Sequence, residues 1–128
     1  MLGYCTLGTN DLKASAEFYE PIAKILGQTR IMESERNVMW GSGERGAMFG
    51  VITPYDGEAA NPGNGTMFGL LAENEEQVHQ VYDHALANGG SCEGPPGPRG
   101  DSDMFYGAYF RDPQGNKLVV YRFKAPAG

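Results

Sequence analysis

The chain has 128 residues, the length of one domain, with 41% apolar and 20% charged residues, as in an ordinary globular protein. Sixteen acidic residues against ten basic ones leave a net charge of −6, which argues against a nucleic-acid partner, whose phosphates need a basic face. No apolar run approaches the roughly 18 residues of a membrane span, and MLGYCTLGTN is not a secretory signal, so no membrane partner and a cytoplasmic location are expected.

Residues 3–8 read as a short strand, closed by Thr9-Asn10-Asp11. Asn and Asp side chains there suit a helix N-cap, because they satisfy the free amides of the first turn. Ala14, Phe18, Ile22, Ile25 and Leu26 recur at spacings of three and four and predict an amphipathic helix. Pro21 is expected to kink or break it, and Gly27 to end it. Strands are predicted near 29–33, 37–42 and 47–53. Gly41-Ser42-Gly43-Glu44-Arg45-Gly46 fits G-x-G-x-x-G, but a strand pattern follows it instead of the helix that a dinucleotide site requires. It reads as a hairpin loop.

Pro, Gly and Asn dominate the segment up to residue 65, including the turn at Asn64-Gly65-Thr66. A strand at 66–72 and a helix from about 75 to 88 come next. Val78, Val81, Tyr82 and Ala85 give that helix its apolar face, and Gly89-Gly90 stop it. Gly94-Pro95-Pro96-Gly97-Pro98 predicts a loop. Strands near 104–111 and 116–123 form a hairpin across the turn signal Asp112-Pro113-Gln114-Gly115-Asn116. Cys5 and Cys92 are expected as buried free thiols, and two cysteines without a nearby histidine make no zinc site.

The order strand, helix, three strands therefore occurs twice. At an offset of 63 residues Leu7 falls on Leu70, Tyr19 on Tyr82, Glu20 on Asp83 and Gly27 on Gly90. This duplicated module resembles the vicinal-oxygen-chelate superfamily of glyoxalases, extradiol dioxygenases and bleomycin-resistance proteins. Leu7-Gly8-Thr9-Asn10-Asp11-Leu12 with Phe18-Tyr19, and Tyr109-Phe110-Arg111-Asp112-Pro113-Gln114-Gly115-Asn116-Lys117-Leu118, carry the likeness. The resemblance implies an α+β fold: two tandem βαβββ modules forming an open barrel of the glyoxalase and bleomycin-resistance type around a cavity. Residues 1–128 are read as a single domain, with module one at about 1–54, a linker at about 55–65 and module two at about 66–124.

Metal-binding members take histidine and glutamate ligands from the first and last strands of each module. By that resemblance the ligand positions fall on Tyr4, Met67, Val119 and about Gly50. Tyrosine, methionine, valine and glycine make no ordinary divalent-metal site, so no metal and no cofactor are expected. His79 and His84 stand five apart on the second helix, off one face; they read as ordinary helix residues, one pairing with an acid such as Glu75 or Glu76.

Strand alternation in register with the ligand positions places Tyr4, Thr6, Met48, Gly50, Met67, Gly69, Val119 and Tyr121 on the cavity face. Cys5, Leu7, Phe68, Leu70, Leu118 and Val120 then pack under the helices. Glycine leaves space, methionine adapts its shape and tyrosine offers a ring with a polar tip, a lining for a small, flat organic ligand. Arg99 reads either as facing an anionic group of that ligand at the cavity mouth or as a solvated loop charge. The expected function is metal-independent binding of a small molecule, by a chain that forms a homodimer. The alternative is a glyoxalase-type lyase or dioxygenase-like enzyme, metal-independent or with a metal site in another register.

Overall fold

The computed structural model of the chain describes residues 1–43 and 46–124. Along it run β1 (Tyr4–Gly8), α1 (Leu12–Ile25), β2 (Thr29–Glu33), β3 (Asn37–Gly41), β4 (Met48–Ile52), β5 (Phe68–Leu71), α2 (Glu75–Ala87), β6 (Ser91–Arg99), β7 (Phe105–Arg111) and β8 (Lys117–Phe123). They form two four-stranded sheets of the same design, ordered β1-β4-β3-β2 and β5-β8-β7-β6. In each, the first strand pairs parallel with the last, and the remaining pairs are antiparallel. The fold is the expected α+β pair of βαβββ modules, and its two sheets do not close on each other among the described residues. The repeat register holds: α2 starts at Glu75, 63 residues after Leu12.

Local chemistry sets the helix ends. The Asp11 carboxylate accepts from the Ala14 amide at 3.0 Å, and Asn74 does the same for Gln77 at 2.9 Å. After α1, Gly27 turns the chain with φ +75°, a conformation that favours glycine. Pro21 neither breaks nor ends α1, contrary to expectation. It removes only the hydrogen bond to the carbonyl of Glu17, an exposed residue whose carbonyl water can satisfy. Ala14, assigned to the apolar face, is exposed, and Ser15, Ala16, Phe18, Tyr19, Ile22 and Ala23 are buried instead.

The Pro/Gly segment predicted as a loop is the strand β6. It is an edge strand, where a proline that cannot donate costs no ladder bond. Register shifts between Cys92 and Gly94, and again before Gly97, absorb the mismatch with β7. Cys92 is consequently exposed and Cys5 half-buried, so neither is the buried thiol expected; both are free. Gly41 and Met48 bracket an antiparallel β3–β4 hairpin, although Glu44 and Arg45 of the G-x-G-x-x-G segment lie outside the described residues.

One face of each sheet is packed by helices. Leu7, Val38, Trp40 and Val51 meet Phe18, Tyr19 and Ile22, while Ala108, Phe110, Leu118 and Val120 meet Val78, Val81 and Ala85 in one continuous core. No strand of one sheet pairs with a strand of the other among the described residues. The modules join through α1 against α2 and through the turn after β7. There the Tyr19 hydroxyl donates to Asp112 Oδ2 at 2.6 Å, and Asn116 Nδ2 donates to the Gly8 carbonyl at 3.0 Å. Burial, reinforced by the Asp112 carboxylate, pushes the Tyr19 hydroxyl well above its ordinary pKa, so it stays protonated and donates. No helix among the described residues is long and apolar enough to cross a membrane.

Candidate functional site

Alternation sorts the strand residues as the sequence implied. Leu7, Leu118 and Val120 lie in the core, with Phe68 and Leu70 packed against it. Tyr4, Thr6, Met48 and Gly50 share the helix-free face of the first sheet, where Tyr4 pairs with Met48 and Thr6 with Gly50. Gly69, Val119 and Tyr121 share the corresponding face of the second, with Met67 just ahead of β5. Arg99 reaches this second face from the edge, opposite Phe105. The nine residues thus form two sets on separate sheets rather than one enclosed lining.

The two faces differ in what fills them. Over Gly50 no space is left: a Cβ there would collide with the Met39 sulfur and stand 2.5 Å from the Val38 carbonyl oxygen. The glycine accommodates its neighbours and does not open a cavity. On the second sheet the glycines carry rings. A Cβ on Gly69 would stand 3.1 Å from Tyr121 Cε1, and one on Gly107 would stand 2.9 Å from Phe105 Cε1. Lying over them, Phe105 and Tyr121 stack with centroids 4.9 Å apart and planes 8° from parallel.

Beside this pair stands Tyr109, opposite Val119 in the ladder. The Arg99 guanidinium sits 5.5 Å from its ring centroid, and the Lys117 ammonium 5.8 Å. Arg99 is held by the carbonyls of Pro95 at 2.6 Å and Pro98 at 3.3 Å. Phe105, Gly107, Tyr109 and Lys117 were absent from the sequence-based set, although the same alternation, carried across the β7–β8 hairpin, points to all four.

At the rim Arg111 holds Glu93 at 2.5 Å. This hydrogen bond, then the charge, lowers the Glu93 pKa below its ordinary value. Because the folded-state value is depressed, the pair's contribution is complete above about pH 4.3 and is lost as pH falls through the lower folded value. An NMR titration of the Glu93 carboxyl should therefore have its midpoint below about 4.3; a midpoint at or above that value contradicts the pairing.

A cavity of about 310 Å³ lies elsewhere, on the helix side of the seam between the unpaired edges of β1 and β5. Tyr19, Ile22, Leu26, Trp40, Phe49 and Phe68 wall it. Of the residues expected around a cavity, only Met48 and Gly69 reach it.

The metal positions of the family that the sequence resembles do not fit a metal here. Tyr4 is 64% exposed, Val119 is buried and apolar, and Met39 occupies the space above Gly50. Among the described residues no group of three or more His, Cys, Asp or Glu side chains is placed to hold a metal. The histidines belong to the helix side and pair with no acid among the described residues: His79 Nε2 meets the Tyr106 hydroxyl at 2.7 Å, and His84 Nε2 meets the Phe18 carbonyl at 2.9 Å.

Residues 1–120 match the family described as the Glyoxalase/Bleomycin resistance protein/Dioxygenase superfamily. No curated protein matches the chain. Among solved structures, a glyoxalase/bleomycin resistance protein from Albidiferax ferrireducens T118 is 34% identical, with a TM-score of 0.87 over 97% of this chain and 99% of that one. A glyoxalase-related enzyme from Fulvimarina pelagi is 20% identical, with a TM-score of 0.74 over 100% of this chain and 92% of that one. A lactoylglutathione lyase from Agrobacterium tumefaciens is 19% identical, with a TM-score of 0.66 over 97% of this chain and 98% of that one. At these last two identities the likeness is one of fold.

Proposed function

The chain belongs to the Glyoxalase/Bleomycin resistance protein/Dioxygenase superfamily, and on that premise we propose that it binds a small organic molecule, without a metal, on the helix-free face of its second sheet. One observation carries this reading. Gly69 and Gly107 leave room for the rings of Phe105 and Tyr121 to stack on each other close to the sheet, so that the stack offers an outer ring face and its edges as an apolar platform.

The surroundings support it. Met67, Leu71 and Phe123 are 43%, 63% and 56% exposed, and Tyr4 and Met32 on the first sheet's equivalent face are 64% and 53% exposed. A sheet packed by helices on one side and apolar on the other calls for a cover. In this reading residues 1–128 form one domain, and a second copy lays its first-sheet face over the platform, enclosing the ligand. The expected homodimer and the expected binding face are then parts of one arrangement.

A calorimetric titration with an aromatic probe tests the reading. The parent should bind, and Tyr121→Ala should weaken binding by about tenfold, in line with the loss of one aromatic stacking partner. Met67→Trp, at an exposed rim position, should obstruct the platform with a stability change within the usual 1–3 kcal/mol range of an enlarged side chain, or about zero if it stays in solvent. Undiminished binding by Tyr121→Ala would remove the platform from the site.

A further inference from the structure

Two cations, Arg99 and Lys117, stand over the Tyr109 ring, and among the described residues neither forms an ion pair. Among the described residues Arg30, Arg111 and Arg122 are committed to carboxylates, while Arg36 donates to the Thr53 carbonyl and lies over the Tyr55 ring. Arg99 and Lys117 form no ion pair, though both approach one ring on the helix-free face. Among the described residues Asp101, two residues from Arg99, does not pair with it, and Glu93, whose carboxyl feels the Lys117 charge, makes its ion pair with Arg111 instead. In a chain with a net charge of −6 this local excess of positive charge is unusual. Two cations over one ring raise the positive potential around it, which an anion beside that ring lowers.

The donors are also available. Arg99 spends one N–H on each of two backbone carbonyls, leaving three of the five donors of a guanidinium. Those two carbonyls hold it in place, so little side-chain freedom is lost when it takes a ligand. Lys117 donates no hydrogen bond among the described residues, and its ammonium serves as a point charge.

We infer that this face binds a planar organic anion, of the aromatic or conjugated carboxylate class, whose ring lies against Phe105 and Tyr121 and whose acid group is taken by Arg99, with Lys117 adding positive charge over the same Tyr109 ring. The inference rests on the face proposed above and adds the ligand's charge. A neutral planar molecule gains the stacking but leaves both cations unanswered, and a planar cation is repelled. A guanidinium with free donors suits a carboxylate, and an ammonium over the same ring adds to the attraction.

Isothermal titration calorimetry of the full chain with 2-naphthoate and with uncharged 2-naphthamide separates these contributions. Naphthoate should bind about tenfold or more tighter than naphthamide at low salt, the gap narrowing as ionic strength rises. Arg99→Gln and Lys117→Met, both at partly exposed positions, should each weaken naphthoate by about fivefold to tenfold and leave naphthamide within about twofold. Tyr121→Ala should weaken both compounds. Equal affinity for the two compounds, with Tyr121→Ala still weakening both, keeps the face as the site and overturns the anion assignment. Binding of neither compound, or naphthoate binding indifferent to Tyr121→Ala and Arg99→Gln, overturns the face and the anion assignment together.

Discussion

Replacing Asp112 by alanine should cost about 3–5 kcal/mol of stability, because it strands several buried donors at once. Asp112 is only 4% exposed. Its Oδ1 accepts from the amides of Gln114 and Asn116, each at 2.9 Å, and its Oδ2 accepts from Asn116 Nδ2 at 3.0 Å and the Tyr19 hydroxyl at 2.6 Å. A single side chain thus shapes the β7–β8 turn and ties it to α1 of the other module. Removing only the hydroxyl, in Tyr19→Phe, should cost about 1–3 kcal/mol, since the remaining donors still satisfy the carboxylate. For a domain of this size roughly 3–5 °C accompanies each kcal/mol, so Asp112→Ala should melt on the order of 10–20 °C below the parent. Denaturant titration measures both variants. A loss under about 1 kcal/mol for Asp112→Ala would show that water replaces the carboxylate and that the turn does not lock the modules.

Gly50→Ala should be the most damaging change of a single methyl group on the first sheet's open face, at about 2–3 kcal/mol. The added Cβ meets two obstacles of different character. The Met39 thioether can swing away at small cost, but the Val38 carbonyl, 2.5 Å from the added atom, belongs to the neighbouring strand and moves only with the ladder. Combining Gly50→Ala with Met39→Ala should therefore fail to restore stability. Full recovery in the double variant would place the whole conflict on the sulfur. The same geometry bears on rebuilding a metal site: a glutamate at position 50 encounters the same carbonyl before it can reach any ion.

The sequence by itself determined the faces and the repeat. Alternation along a strand is a covalent property with a period of two, so the first core residue found on a strand assigns all the others. With the register taken from the ligand positions that the family resemblance implies, Leu7, Leu118 and Val120 went under the helices and Tyr4 and Tyr121 opposite, without knowledge of any partner strand. The 63-residue offset was legible for the same reason, since each module must repeat its own helix and strand pattern to bury its own face. The Asp-Pro-Gln-Gly-Asn segment was readable as a turn because its side chains bond their own backbone. Tertiary structure decided what occupies each face. That Met39 fills the space over Gly50, that Phe105 reaches Tyr121, and that Asp112 receives Tyr19 all depend on residues brought together by ladder register or by packing between modules. The proline-rich β6 shows the same limit: its composition opposes a strand, and only its position at the sheet edge, where a missing donor costs nothing, makes it one.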